Sequence, residues 1–144
     1  MSAATPTALV PLDGITAIEA SAGTGKTHTI TQLYLRLLVE YGLDVAKILV
    51  VTYTKAATAE LRKGVRERLV KAATMFRTGV PDDEVGAEIL RRVPDHAGAV
   101  RAIDRALQGF DEAAIFTIHG FCQRVLSERA FESGVAFETE LVPD

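Results

Sequence analysis

Ile15-Thr16-Ala17-Ile18-Glu19-Ala20-Ser21-Ala22-Gly23-Thr24-Gly25-Lys26-Thr27 is the stretch whose reading decides the fold. Its first five residues are short and largely apolar, the pattern of a buried strand. Beyond it, apolar residues recur at Ile30, Leu33, Tyr34, Leu37, Leu38 and Tyr41 with helical spacing, and Gly42 supplies a stop. Strand, glycine-rich turn, Gly-Lys-Thr and helix, in that order, make a phosphate-binding P-loop. Positive φ at Gly23 and Gly25 would let the backbone wrap a phosphate with its N–H groups facing inward. The helix that starts there adds partial positive charge through its unpaired N–H groups. The Lys26 ammonium can reach the β- and γ-phosphates, and the Thr27 hydroxyl can ligate Mg²⁺. The usual pattern opens with glycine where Ala20 stands, and alanine tolerates a strand-end conformation. The nucleotide set expected from this stretch is Ala20, Ser21, Ala22, Gly23, Thr24, Gly25, Lys26, Thr27 and His28, with Lys26 and Thr27 as its catalytic pair and Thr27 as its metal ligand. The competing reading is a Gly/Ser/Thr-rich turn with Lys26 merely solvated.

Outward from this stretch, 144 residues with 48 % hydrophobic content fit one domain with a real core. A net charge of −3 argues against a generally basic nucleic-acid coat while leaving room for a local one. One cysteine, Cys122, excludes an internal disulfide framework and suits a reducing cytosol. No basic residue precedes Lys26 and no apolar run approaches membrane-spanning length, so the expectation is a cytoplasmic protein with no membrane partner. Residues 1–11 are rich in Ala, Thr and Pro and read as a flexible arm. Residues 12–14 turn into the first strand. Lys47 to Thr52 is nearly all apolar and β-branched, a strand expected to be covered on both faces as a parallel sheet demands. A long helix is predicted over about 56–76, with Leu61, Val65, Leu69, Val70 and Ala73 on its apolar side. Thr78-Gly79-Val80-Pro81 breaks it. Residues 82–93 and 97–108 read as two further helices, a helical insertion near 79–110. Residues 113–117 read as a short strand and 120–129 as a helix.

Two later stretches carry chemistry. In Val51-Thr52-Tyr53-Thr54-Lys55-Ala56-Ala57-Thr58-Ala59-Glu60-Leu61-Arg62 a buried strand ends in hydroxyls and an aromatic ring before turning into a helix. Ligands of open α/β sheets gather at such carboxyl ends of strands. Thr52 and Thr54 can donate to phosphates, and Tyr53 can stack on a base or fill the core. The helix beyond carries Arg62, Lys63, Arg66, Arg68, Lys71 and Arg77 against Glu60 and Glu67, and taken alone reads as a solvated basic face. In Ile115-Phe116-Thr117-Ile118-His119-Gly120-Phe121-Cys122-Gln123-Arg124 another strand ends in a hydroxyl and an imidazole at a helix start.

Taken together, these stretches resemble superfamily 1 helicases of the UvrD/Rep type. Residues 18–27 look like their motif I, residues 51–62 like motif Ia, and Thr117-Ile118-His119-Gly120-Phe121 like motif Ib. Within that group the wording is most similar to the beta subunits of exonuclease V, through Ala57-Thr58-Ala59-Glu60-Leu61-Arg62, the run from Phe116 to Leu126, and Ala130-Phe131-Glu132-Ser133-Gly134. The resemblance covers nearly all of the chain. It implies a RecA-like P-loop α/β domain, here incomplete, occupying residues 12–144 at the amino-terminal end of a much longer protein. The implied activity is that of an ATP-driven 3′-to-5′ DNA translocase, using ATP and Mg²⁺, partnered by gamma and alpha subunits in double-strand-break repair and recombination. The implied contacts to single-stranded DNA are Thr52, Tyr53, Thr54, Ala57, Thr117, His119, Gly120 and Phe121. Asp13 stands where the family commonly has a glutamine that reads the adenine edge, and an ionised carboxylate accepts but cannot donate. Hydrolysis also needs a metal-holding Asp and a water-orienting Glu at the end of an apolar strand. Asp111-Glu112 follows no such strand and precedes motif Ib, and Asp82-Asp83-Glu84 sits in a Gly/Pro-flanked loop. Neither pair fits, and the fragment alone is expected to be inactive. A small-molecule P-loop kinase is the alternative enzyme, although no arginine-bearing lid or acceptor site is visible. A nucleotide-binding module without catalysis is the non-enzymatic alternative.

Overall fold

The computed structural model describes residues 10–19 and 25–130. Helix α1 spans Gly25–Glu40. It ends where Gly42 takes φ 66°, a left-handed conformation that favours glycine. Asp44 accepts from the Ala46 N–H and starts a single 3₁₀ turn, Val45–Lys47. Strand β1, Val50–Thr52, follows. The Thr54 hydroxyl accepts from the Ala57 N–H and opens α2, Lys55–Thr78, which closes on Gly79 at φ 70° with the glycine N–H bonded to the Met75 carbonyl. Asp83 caps α3, Glu84–Arg92, and Asp95 caps α4, His96–Gln108. A 3₁₀ turn, Phe110–Glu112, leads into β2, Ile115–Thr117. The Thr117 hydroxyl accepts from the Gly120 N–H and starts α5, Ile118–Glu128.

β1 and β2 pair in parallel, with Val50 opposite Ile115, Val51 opposite Phe116 and Thr52 opposite Thr117. Parallel neighbours need a long crossover, and α2, α3 and α4 form it. The core lies around α2. Leu61, Val65, Leu69, Ala72 and Phe76 meet Tyr34, Leu35 and Leu38 of α1, Ile89 of α3, and Ile103 and Ala106 of α4. Mixed α/β architecture with a helical excursion between the strands is therefore as read from the sequence.

Four expectations need correction. Residues 15–19 form no strand: Ile15 is fully exposed and Ile18 is 43 % exposed, and among the described residues no strand pairs with them. The run from Lys47 is a strand only over Val50–Thr52, and Leu49 and Val51 remain 48 % and 40 % exposed, so the described elements do not cover this sheet on both faces. Val70 is exposed, because it lies on the outer side of α2 between the buried Leu69 and Ala72. The basic face of α2 is not simply solvated. Arg68 is buried and ion-paired to Asp82. Arg62 donates to the Ala113 and Ile115 carbonyls at 3.1 and 3.2 Å. Arg77 pairs with Asp104 at 2.8 Å, and the Arg66 guanidinium lies 5.9 Å from the centre of the Phe110 ring. Planar guanidinium groups thus hold α2 to the segments around it.

Candidate functional site

The nucleotide set begins outside the described residues, since Ala20, Ser21, Ala22, Gly23 and Thr24 fall there. From Gly25 onward the geometry is defined. Gly25 is the first residue of α1 and does not take positive φ, contrary to expectation; it serves as the helix start, where right-handed φ is required. Lys26 is exposed, and among the described residues it forms no ion pair. Thr27 is half-buried and His28 exposed. No acidic residue occupies the first turn of α1, so nothing on this helix neutralises the unpaired N–H groups at its amino end. A free ammonium beside unneutralised helix N–H groups fits a phosphate. Among the described residues no group of three or more His, Cys, Asp or Glu side chains could hold a metal ion. Asp13, at the position expected to face adenine, accepts a hydrogen bond from the Tyr41 hydroxyl at 3.0 Å. That bond raises the Tyr41 pKa above its ordinary value by favouring the protonated phenol.

The second and third stretches meet at one sheet edge. Thr52 and Thr117 are register partners at the carboxyl ends of β1 and β2, and α2 and α5 both start from this edge. Neither helix has an acidic residue in its first turn. Thr52 Oγ1 lies 2.7 Å from Thr58 Oγ1 and donates to the Thr54 carbonyl at 3.1 Å. Thr54 and Thr117 are the helix caps, so their hydroxyls already accept backbone N–H groups at 3.1 and 3.0 Å. Tyr53 is 86 % exposed and does not fill the core. His119 is exposed, while Ala57, Gly120 and Phe121 are half-buried. The Arg62 bonds tie α2 to the backbone at the start of β2. Lys55, Thr58, Arg62, Phe116, Thr117 and Gly120 line a shallow cleft of about 360 Å³ between α2 and α5.

Neither acidic run lies at the carboxyl end of a described strand. Asp82 pairs with Arg68, and Asp83 caps α3. Asp111 and Glu112 lie on the exposed 3₁₀ turn before β2. Both described strands end in threonine, with no carboxylate there.

The sequence profile of the UvrD/REP helicase N-terminal domain matches residues 1–142. The chain belongs to this helicase family. It is 46 % identical to RecBCD enzyme subunit RecB of Escherichia coli K12 over 94 % of its length, and 46 % identical over 94 % to the subunit of the same name from Haemophilus influenzae. The subunit of Mycobacterium tuberculosis is 36 % identical over 92 %. The chain spans about 12 % of the length of each of these relatives. Its similarity within the UvrD/REP family thus runs to RecB, as the wording of motifs Ia and Ib implied.

One cluster of this helicase domain was missed by the sequence reading. Gln32 of α1 is fully buried, accepts from Arg68 Nε at 2.8 Å and donates to Asp83 Oδ2 at 3.2 Å, while Arg68 holds Asp82. No local signal marks it. A glutamine on a helix is buried only when a partner arrives, and the partners stand 36 and 51 residues away in the chain.

Proposed function

We propose that this chain supplies the ATP-binding and single-strand-DNA-binding segment of a RecB-type, ATP-dependent DNA helicase and exonuclease acting in double-strand-break repair and recombination. The observation that carries the reading is Gly25-Lys26-Thr27 at the start of a helix whose first turn lacks acidic residues, in a chain of the UvrD/REP family. Lys26 binds and orients the phosphates as a point charge, and Thr27 places its hydroxyl for Mg²⁺. Bound MgATP supplies the phosphoanhydride whose cleavage drives movement on DNA. The edge formed by Thr52, Tyr53, Thr54, Thr117 and His119 offers hydroxyls, an imidazole and an exposed ring to a sugar–phosphate backbone and its bases. Partner subunits corresponding to the gamma and alpha chains, RecC and RecD, complete the assembly, and its place is the cytoplasm. No described helix is long and apolar enough to cross a membrane.

A second reading is a nucleotide-binding module without its own catalysis. It is favoured by the absence of a carboxylate at the end of either described strand, and describes residues 1–144 taken alone. In the full-length protein, Lys26→Ala is expected to weaken binding of a fluorescent ATP analogue or to abolish turnover. Wild-type binding together with wild-type turnover would remove Lys26 from the site.

A further inference from the structure

The amino-terminal turns of α1 are seated on α2 by two contacts. The first is steric. A Cβ on Gly64 would stand 3.3 Å from Thr31 Cγ2 and 3.7 Å from Thr27 Cγ2, so the missing side chain is what lets α2 approach this part of α1. Thr31 lies one helical turn after Thr27, and its hydroxyl donates to the His28 carbonyl at 2.8 Å. A push on Thr31 is therefore a push on the turn that carries Thr27. The second contact is polar. Arginine has no acceptor, so the Gln32 carbonyl oxygen must face Arg68, and the Gln32 amide nitrogen is thereby turned to Asp83. Gln32 and Arg68 are both buried, and the pair holds α1 in rotation and height against α2. Between the two contacts runs a cleft of about 560 Å³, lined by Thr27, His28, Glu60, Gly64, Glu67 and Asp83 among others.

We infer that Gly64, Thr31 and the Gln32–Arg68 pair are positioning residues for the Thr27 hydroxyl, setting how well the site takes Mg²⁺ with a nucleoside triphosphate. The inference rests on the nucleotide reading of Lys26 and Thr27. It assigns to α2, which begins at the expected DNA edge, a direct mechanical hold on the nucleotide end of α1. Because the hold is on the metal-side hydroxyl, it acts on the part of nucleotide affinity that Mg²⁺ adds.

The test uses the full-length protein and a non-hydrolysable fluorescent ATP analogue, titrated in Mg²⁺ and in EDTA, with a thermal melt of each variant. Gly64→Ala raises helix propensity and pushes on Thr31. The expected result is a Mg²⁺ advantage reduced by about tenfold, since misplacement by about 1 Å can cost 10²-fold, with affinity in EDTA unchanged. Thr31→Ser in the same background removes the obstructing methyl, keeps the hydroxyl, and is expected to restore the advantage. Arg68→Lys, which keeps the charge for Asp82 and loses the fork that reaches Gln32, attacks the second contact and is expected to lower the advantage in a protein that still melts cooperatively. An unchanged Mg²⁺ advantage in Gly64→Ala and Arg68→Lys, or a loss in Gly64→Ala that Thr31→Ser does not restore, overturns the inference. If Lys26→Ala binds the analogue as wild type does, the nucleotide reading itself fails, and the inference falls with it.

Discussion

Among single residues, Tyr34 sets a clear energetic problem. Its ring is among the largest fully buried groups, and its hydroxyl has no hydrogen-bond partner among the described residues. Burial pushes its pKa from 10.0 up to about 12, because the phenolate would lose water that the nearby Arg62 charge only partly replaces. A pKa raised in the folded state favours the fold fully below the unfolded value of 10.0, and that contribution is lost as pH rises through about 12. The chain is thus expected to lose stability above pH 10 as unfolded Tyr34 ionises and folded Tyr34 does not. Tyr34→Phe deletes the orphaned hydroxyl and keeps the ring. Its urea midpoint at neutral pH should match or exceed wild type, since an unsatisfied buried group costs about 1–3 kcal/mol, and its decline above pH 10 should be shallower. A clear drop at neutral pH would reveal a hydrogen bond to the hydroxyl. Helical spacing placed Tyr34 in the core, and no spacing rule could show that its hydroxyl goes unpaired, because pairing depends on segments distant in sequence.

Helices were the most legible elements. Their starts and stops are written locally: Thr54, Asp83, Asp95 and Thr117 cap, and Gly42 and Gly79 take positive φ at the ends. The same residues show why the candidate site was only partly legible. Thr54 was read as a donor to phosphates and Thr117 as a DNA contact, yet each hydroxyl is an acceptor for its own helix. A hydroxyl that accepts a backbone N–H keeps its proton, so capping and donation to a ligand are compatible. The two roles separate by substitution. Thr54→Ala is expected to cost about 1 kcal/mol of stability through the lost cap, and Thr54→Ser much less, because serine caps as well as threonine. Equal urea midpoints for wild type and Thr54→Ala would show that the cap contributes nothing to α2. The basic face of α2 was misread for a related reason. Composition gives the number of arginines but not their partners, and Asp82, Asp104 and the Ala113 carbonyl lie on later segments.

For the whole molecule, the sheet is where sequence and structure part. A helix satisfies its own backbone, but a strand exists only beside a neighbour. The run 15–19 has the composition of a strand and no strand partner among the described residues, and Leu49 and Val51 present apolar surface that the described elements leave open. The parallel pairing of β1 and β2 nevertheless brings together the two stretches that the sequence reading assigned to DNA, with Thr52 beside Thr117. The charge pattern fits a modest anion site. In the DNA proposal, the groups this edge offers to an anionic strand are local: Lys55, the starts of α2 and α5, and the exposed Tyr53 ring. These groups differ in salt dependence, which makes the DNA proposal testable by parts. Single-strand binding by the full-length protein is expected to tolerate changes of sequence and to weaken with salt. Tyr53→Ala should cost about 1–3 kcal/mol by removing one stacked base, nearly equally at low and high salt, since stacking releases no counterion. Lys55→Ala should cost more at low salt and reduce the slope of log affinity on log salt by about 1. A labelled oligonucleotide titrated at several salt concentrations reads both effects. If the two variants bind as wild type does at every salt concentration, the edge is a structural junction of β1, β2, α2 and α5, and the DNA path runs over another face.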